Sequence, residues 1–272
     1  MCRFKSYIVT KDLKIHGSRR TSSHEKILAE LQIKDGTEQN TILMREYVKI
    51  EVYPKDESKM TRDLTQWIYC EDEEGTLPEW YKKNKGRIEE AVMLQVAADL
   101  KVQLVLDGEE RDATDTELYA LGSSTVVAWG SSTVEARDSS KVVALGSSTV
   151  EAWDSSKVIA WGSSTVEARD SSKVVARGSS TVEAWGSSTV EARDSSKVVA
   201  RGSSKVEALG SSIVEALGSS TVEAWGSSKV EAWDSSTVKI KSEFSAILCR
   251  GKIYVNKKAT VIVQDKVNAA EA

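Results

Sequence analysis

The sequence is poor in the residues that carry most enzyme and metal chemistry. It has 2 histidines and 3 cysteines in 272 residues. The cysteines, Cys2, Cys70 and Cys249, are too far apart for a zinc motif or a disulfide framework. His16 and His24 belong to no recognisable motif, and we expect both to lie in exposed loops. The many serines lack the turn of a hydrolase nucleophile. We therefore predict that the protein is not an enzyme and has no catalytic residue, metal or cofactor.

The sequence also lacks a strong charge excess and a long apolar run. Its formal net charge is -4, and no segment is basic enough to form a phosphate-binding stripe, so we predict no nucleic-acid partner. Met1–Lys14 lacks the apolar core of a signal peptide, and no run approaches membrane-spanning length. We therefore expect synthesis in the cytoplasm without a signal peptide or membrane insertion. Association with a virion, or release by lysis, are the later locations that we consider.

What the sequence does contain is one octapeptide, A-x-(G/D)-S-S-(T/K)-V-x, repeated from about Asp115 to Ser242. Alanine recurs every eight residues over Ala120–Ala232, and valine recurs at the same spacing over Val126–Val238. A short fixed period of this kind predicts a repeat architecture.

Each octad reads as one short strand followed by one corner. In Thr133–Ser140 the first five residues alternate, so that Val134 and Ala136 face one way and their neighbours the other. The Gly/Asp-Ser-Ser segment that follows is typical of a turn. One strand alone leaves its Val-Ala face uncovered, so successive octads must coil and stack. We therefore predict a mainly β fold, an octapeptide-repeat β-solenoid.

The number of octads in each coil follows less directly. Between Thr133 and Val182 the octads alternate between T-V-E and K-V-(V/I), which favours two octads, or 16 residues, per coil. That choice stacks arginines and tryptophans alternately in an outer column, where cation–π contacts favour them. The column comprises Leu121, Arg137, Trp153, Arg169, Trp185, Arg201, Leu217 and Trp233. The alternative is a triangular coil of three octads, which places Arg169 beside Arg193 with less charge compensation.

Two polar rows suggest functions that the pattern disfavours. The turn aspartates invite a calcium-binding β-roll, but most turns carry glycine and four of the five aspartates precede a lysine by three residues. We predict local ion pairs instead, as between Asp138 and Lys141. The outward threonines suggest an ice-binding solenoid, but the second outward residue is glutamate, as in Thr133 and Glu135.

The candidate binding residues are the outward aromatic and arginine side chains that follow each alanine. Rows of exposed aromatics mark interfaces, either with further copies of the chain (a dimer or trimer) or with a cell-surface glycan. Stacking of these side chains on one another along the rod is the purely structural interpretation. The candidates are Trp129, Trp153, Trp161, Trp185, Trp225, Trp233, Arg137, Arg169 and Arg201.

Two non-repetitive regions flank the solenoid, which we assign to residues 115–242. Residues 1–114 predict a small α+β domain that also caps one end of the solenoid, and residues 243–272 predict a β cap at the other, because solenoid ends need covering. In the first region we predict a helix over Glu79–Leu100 with an apolar stripe of Ile88, Val92, Val96 and Leu100. The expected strands are Ser6–Val9, Ile27–Ile33, Thr41–Val52, Trp67–Cys70 and Val102–Leu106.

The run A-W-G-S-S-T-V-E-A-R-D-S-S-K-V-V, residues 160–175, resembles octapeptide-repeat proteins of phage and prophage genomes from gut bacteria. The resemblance covers residues 115–242, and Leu77–Tyr81 matches the N-terminal region of such proteins. A looser likeness is to the heads of trimeric autotransporter adhesins. The first resemblance implies a phage-related protein, and the second implies an adhesin-like module.

These observations together predict a non-enzymatic structural or surface-recognition β-solenoid. A glycan- or ligand-binding adhesin-like module is the main alternative. An ice-binding protein and an intracellular scaffold are further alternatives, the scaffold being disfavoured by the bulky residues at both ends of the solenoid.

Overall fold

A computed structural model describes residues 5–18, 23–33, 46–56, 60–72 and 77–241, together with the backbone of two further strands, Ala246–Cys249 and Lys252–Val255. The chain forms two compact units, Met1–Leu104 and Val105–Ala272.

The first unit contains a 4-stranded antiparallel sheet with strand order β2-β1-β3-β4. The strands are β1 (Lys5–Thr10), β2 (Ile15–Gly17), β3 (Tyr47–Pro54) and β4 (Trp67–Glu71). The strands predicted at Ser6–Val9 and Trp67–Cys70 are confirmed. The strand predicted over Thr41–Val52 corresponds to β3 in its described part, and residues 41–45 lie outside the described residues.

The prediction of a strand over Ile27–Ile33 is wrong, because this segment begins inside helix α1 (His24–Glu30). Ser23 caps this helix by accepting a hydrogen bond from the Lys26 N–H. Ile27 and Leu28 are buried in one cluster with Ile8 of β1. The cap and the short helix decide the local structure, although the apolar residues alone are compatible with either assignment.

Helix α2 (Glu79–Gln103) starts after Pro78, and the predicted stripe of four apolar residues is buried. The helix runs beyond its predicted end and includes Val102, so the strand expected there shrinks to β5 (Leu104–Val105). Gln103 explains the extension, because it is fully buried and its side-chain oxygen accepts a hydrogen bond from Lys5. Nearby, Tyr7 Oη donates to Asp99 Oδ2 over 2.9 Å.

The second unit is a parallel β-solenoid of two 10-stranded sheets, which we call sheet A and sheet B. Successive strands alternate between the sheets, and each strand pairs with the strand one coil away, as Val142 does with Val158. One coil is therefore two octads, as predicted, and the triangular three-octad alternative is wrong. The β-solenoid fold class is confirmed.

Sheet A contains β6 (Glu110–Thr114), β8 (Thr125–Trp129), β10 (Lys141–Ala144), β12 (Lys157–Ala160), β14 (Lys173–Ala176), β16 (Thr189–Ala192), β18 (Lys205–Ala208), β20 (Thr221–Ala224), β22 (Thr237–Ile240) and β24 (Lys252–Val255). Sheet B contains β5, β7 (Glu117–Ala120), β9 (Thr133–Ala136), β11 (Thr149–Ala152), β13 (Thr165–Ala168), β15 (Thr181–Ala184), β17 (Lys197–Ala200), β19 (Ile213–Ala216), β21 (Lys229–Ala232) and β23 (Ala246–Cys249).

The solenoid core runs without interruption from Val105 to Ile240 and consists almost entirely of the repeated valine and alanine. These side chains are 0–3% exposed, and the second serine of each octad is also buried. The two sheets begin with β5 and β6, ahead of the octapeptide repeat, and β23 and β24 extend both sheets past Ser242. The remaining residues of the predicted C-terminal cap lie outside the described residues.

Candidate functional site

The candidate binding residues fall into two outer columns, one beside each sheet. Trp129 ends a strand of sheet A, and Trp161 and Trp225 directly follow strands of that sheet, whereas the other six predicted residues follow strands of sheet B. The structure therefore does not bring the predicted residues together into one surface. The cause is the alternation of octads between sheets, which separates every second outward residue.

Arginine covers tryptophan within both columns. The guanidinium carbon of Arg169 lies 4.3 Å from the centre of the Trp153 ring, and the corresponding distance from Arg201 to Trp185 is 4.6 Å. A third pair, not anticipated from the sequence, joins Arg177 to Trp161 in the sheet A column at 4.6 Å. The predicted stacking of arginine on tryptophan is confirmed. Each such contact stabilises the stack by about 0.5–1 kcal/mol at an exposed site.

Sheet A also presents a row of aliphatic side chains to solvent, the aliphatic strip, made of Val127, Val143, Ile159 and Val175. These four side chains stack directly on one another in neighbouring strands. Ile159 is 40% exposed and the valines are half-buried. The strip is flanked on one side by Lys141, Lys157 and Lys173, and on the other by Trp129, Leu145 and Trp161.

Sequence reasoning missed the aliphatic strip, although its signal was present. The alternation of K-V-(V/I) with T-V-E octads indicates more than the coil length. With two octads per coil, the same alternation places the lysine-valine octads together on sheet A. An apolar row on a flat, exposed sheet surface is typical of an interaction site.

Over Thr133–Ala184, sheet B carries threonine and glutamate where sheet A carries lysine and valine or isoleucine. Thr149 stacks between Thr133 and Thr165, and Glu151 stacks between Glu135 and Glu167. The glutamate row therefore runs beside the threonine row. A charged row beside the threonines is the feature that disfavours an ice-binding surface.

The glutamates of sheet B differ in how their charge is compensated. Glu135 and Glu167 form ion pairs with Arg137 and Arg169. Beside Glu151, the position that arginine occupies in those two octads is taken by Trp153. Burial raises the pKa of the Glu151 carboxyl, and the neighbouring carboxylates raise it further. Glu151 is consequently the carboxylate of this row that a positive partner would stabilise.

The turn aspartates engage the backbone of the adjacent coil, and the predicted aspartate–lysine ion pairs are wrong. Asp138 accepts a hydrogen bond from the Gly122 N–H at 2.9 Å, and Asp154 accepts one from the Asp138 N–H at 3.1 Å. Within residues 105–241 no ion pair joins a turn aspartate to the lysine three residues later. These aspartates have positive φ, 57° at Asp138 and 56° at Asp154, where glycine stands in most other octads. The carboxylate bond offsets part of that conformational cost.

The two histidines lie in secondary structure, so the prediction of exposed loops is wrong. His24 is the first residue of α1 and is 3% exposed. Its Nε2 lies 2.9 Å from the Ile50 carbonyl oxygen, and its Nδ1 lies 3.2 Å from Asp72 Oδ2. His16 lies in β2, half-buried, with Nε2 3.5 Å from Thr10 Oγ1. The histidines are in separate elements and make different contacts.

A second group of titratable side chains joins β4 to α2. Tyr69 Oη and Tyr81 Oη are 2.7 Å apart, Tyr81 donates to Glu71, and Lys85 forms a 2.8 Å ion pair with Glu71. Burial by itself raises the pKa of Glu71, but the hydrogen bond from Lys85 and the other bonds outweigh it and lower that pKa. Burial raises the pKa of both tyrosines, which therefore stay protonated. These hydrogen bonds and the ion pair, which run from the two neutral tyrosines to the charged Glu71 and Lys85, hold α2 against β4.

In the part of the chain that the structure describes, no helix combines the length and the apolar character needed to cross a membrane. No protein-family model, curated protein or solved structure matches the chain.

Proposed function

We propose that the protein is a non-enzymatic structural β-solenoid that recognises a second copy of itself through sheet A. The aliphatic strip is the observation that carries this proposal. It is an apolar surface that the fold does not need, because the Val-Ala core is already closed on the inner side of the same strands.

The chemistry of the strip favours a protein partner over a glycan. Aliphatic side chains offer a sugar neither a hydrogen bond nor a stacking surface. Three tryptophan rings that could stack on a sugar have an arginine over one face. Trp129, which is 49% exposed, is the observation that supports a glycan-binding, adhesin-like alternative.

Charge and spacing favour a second copy as the protein partner. The lysine row of sheet A lies beside the aliphatic strip, and the glutamate row of sheet B lies beside a threonine row. Both pairs of rows repeat once per coil, so they have one spacing, about 4.8 Å. A lysine row set on the glutamate row of another copy places the strip over threonine methyl groups. Such a contact joins unlike faces and can extend through many copies.

The relation to phage octapeptide-repeat proteins forms part of this proposal and is supported by the repeat sequence alone. A self-associating rod suits a structural element of a virion or a spacer. Either role agrees with a repeated part that offers an exposed apolar surface.

The test is the molar mass of the full chain by light scattering at two concentrations and two salt concentrations. We expect a mass above 29.8 kDa that rises with concentration and falls toward the monomer at high salt, because exposed ion pairs are screened. Ile159→Lys, in the strip, should restore the monomer. Ile213→Lys is the matched control, since Ile213 is 42% exposed on sheet B and lies beyond the threonine row.

Two outcomes would contradict self-recognition through the strip. One is a wild-type chain that stays monomeric at every concentration and binds a glycan in a Trp129-dependent way. The other is equal loss of association in the Ile159 and Ile213 variants, which would show that the effect is not specific to the aliphatic strip.

A further inference from the structure

We propose that His24, Glu51 and Asp72 form a site for a divalent transition metal of the zinc class. The site lies within the first unit and is independent of the function proposed for the solenoid. Among the described residues, this is the group of three histidine, cysteine or acidic side chains whose donor atoms all lie within 4.8 Å of one another.

Three separate elements hold the donors. His24 begins α1, Glu51 lies on β3, and Asp72 directly follows β4. The Asp72 N–H donates to the Lys49 carbonyl over 3.0 Å, which fixes the end of β4 against β3. The backbone positions of the donors are therefore set by the sheet and by the capped start of the helix, before any ion binds.

The orientation of the His24 ring favours metal binding. Nε2 lies 2.9 Å from the Ile50 carbonyl oxygen, which can only accept, so Nε2 carries a proton. A neutral ring then has its lone pair on Nδ1, which faces Asp72 Oδ2 at 3.2 Å. With the ring in that neutral state two acceptors face each other there, and a cation between them removes the repulsion. Metal-binding histidines typically donate the other ring N–H to a backbone carbonyl in this way.

Distance and donor type narrow the choice of ion. Two ligands at about 2.0–2.1 Å from a tetrahedral zinc ion lie about 3.4 Å apart, close to the observed separation of His24 and Asp72. Imidazole favours zinc, cobalt, nickel or copper over magnesium and calcium. Asp72 is 52% exposed at its side chain, whereas His24 is 4% exposed, so the site opens to solvent on the aspartate side. A water molecule can complete the coordination there.

The experiment uses the full chain after treatment with a chelator. Cobalt(II) is titrated while visible absorption is recorded, and zinc is then added as a competitor. We expect a saturable 1:1 spectrum of tetrahedral type, displaced by zinc. Asp72→Asn should weaken binding at least about tenfold, and His16→Gln, which removes the other histidine, should leave it unchanged. Circular dichroism confirms that each variant is folded.

The competing explanation is that a second proton, and not a metal, lies between His24 and Asp72. Nitrogen NMR of the histidine rings separates the two: zinc should shift the Nδ1 resonance of His24 and leave His16 unaffected. A His24 ring with protons on both nitrogens that zinc does not perturb would overturn the proposal. Equal cobalt affinity of Asp72→Asn and the wild type would also overturn it. Because Asp72 is half-exposed, that variant is expected to fold even if changes at buried His24 do not.

Discussion

Arg169 lies directly over Trp153 in the next coil, with 4.3 Å between the guanidinium carbon and the ring centre, while it also forms an ion pair with Glu167. One side chain therefore links two coils and also neutralises a carboxylate of its own strand. The outer column beside sheet B stabilises the stacking of coils, whatever else its side chains bind.

The first prediction concerns this pair. In a double-mutant cycle of Arg169→Leu and Trp153→Leu, we expect a coupling of about 0.5–1 kcal/mol in the free energy of unfolding. Urea unfolding followed by circular dichroism measures it. Arg193 provides the control, because its ion pair is with Glu191 and it follows a strand of sheet A, whereas Trp153 follows a strand of sheet B. The effects of Arg193→Leu and Trp153→Leu on the free energy of unfolding should be additive. A coupling of zero between Arg169 and Trp153 would show that their contact does not contribute to stability.

The second prediction concerns the corner at Asp154, whose carboxylate accepts the Asp138 N–H and whose φ is 56°. Asp154→Ala should lower the free energy of unfolding by about 1–2 kcal/mol, because it loses the hydrogen bond and keeps the left-handed conformation. Asp154→Asn retains an acceptor and should cost less than half as much. Asp154→Gly should fall between them, since it loses the bond but relieves the conformation. Thermal unfolding of the three variants gives the order, and an alanine variant as stable as the asparagine variant would contradict it.

The third prediction compares two buried serines in the same position of the octad. Ser148 Oγ donates to the Leu145 carbonyl at 2.6 Å, whereas Ser188 Oγ is buried without a hydrogen-bond partner. Ser148→Ala should cost about 1 kcal/mol, and Ser188→Ala should be neutral or stabilising. Since both sites remove the same atom from the same core, differential scanning calorimetry of the two variants isolates the hydrogen bond. Equal losses at both sites would mean that both hydroxyls are satisfied in solution.

The fourth prediction concerns pH and Glu151. Because the pKa of its carboxyl is raised in the folded state, first by burial and then by Glu135 and Glu167, folding favours the protonated form. This residue's contribution to stability is therefore greatest below its unfolded pKa and is lost as pH rises through the folded pKa. Glu151→Gln should stabilise the chain slightly at pH 7, by less than about 0.5 kcal/mol. The gain should shrink as pH falls through the folded pKa and should be absent below the unfolded value. A Tm difference that grows in acid would have the wrong sign.

The structure of the repeat could be predicted because the strand, corner and coil-length patterns in its sequence all indicate the same fold. Alternation within the octad fixes strands, glycine and aspartate fix corners, and the two octad types fix the coil length, as the pairing of Val142 with Val158 shows. The coil thus follows from local chemistry that recurs many times, so one wrong assignment has little effect.

The first unit and the surface could be predicted only in part. Ile27 lies in a helix because of a serine cap and contacts with β1, and the spacing of apolar residues does not contain that information. His24 is buried because three elements distant in sequence meet around it. The turn aspartates turned away from their lysines because a backbone N–H lies nearer in the adjacent coil, a contact that only the stacked structure reveals.

The strict alternation of strands between sheets has a consequence for how such a chain can change. Whether a side chain points from sheet A or sheet B depends only on whether the number of octads before it is odd or even. Two T-V-E octads follow one another at Thr181 and Thr189, and after them the octad at Lys197 lies on sheet B. Gain or loss of a single octad therefore exchanges the two faces for everything downstream, whereas a change of two octads preserves them. Unequal recombination between near-identical repeats can therefore change the outer surface of all downstream coils, while the buried valine and alanine positions stay the same.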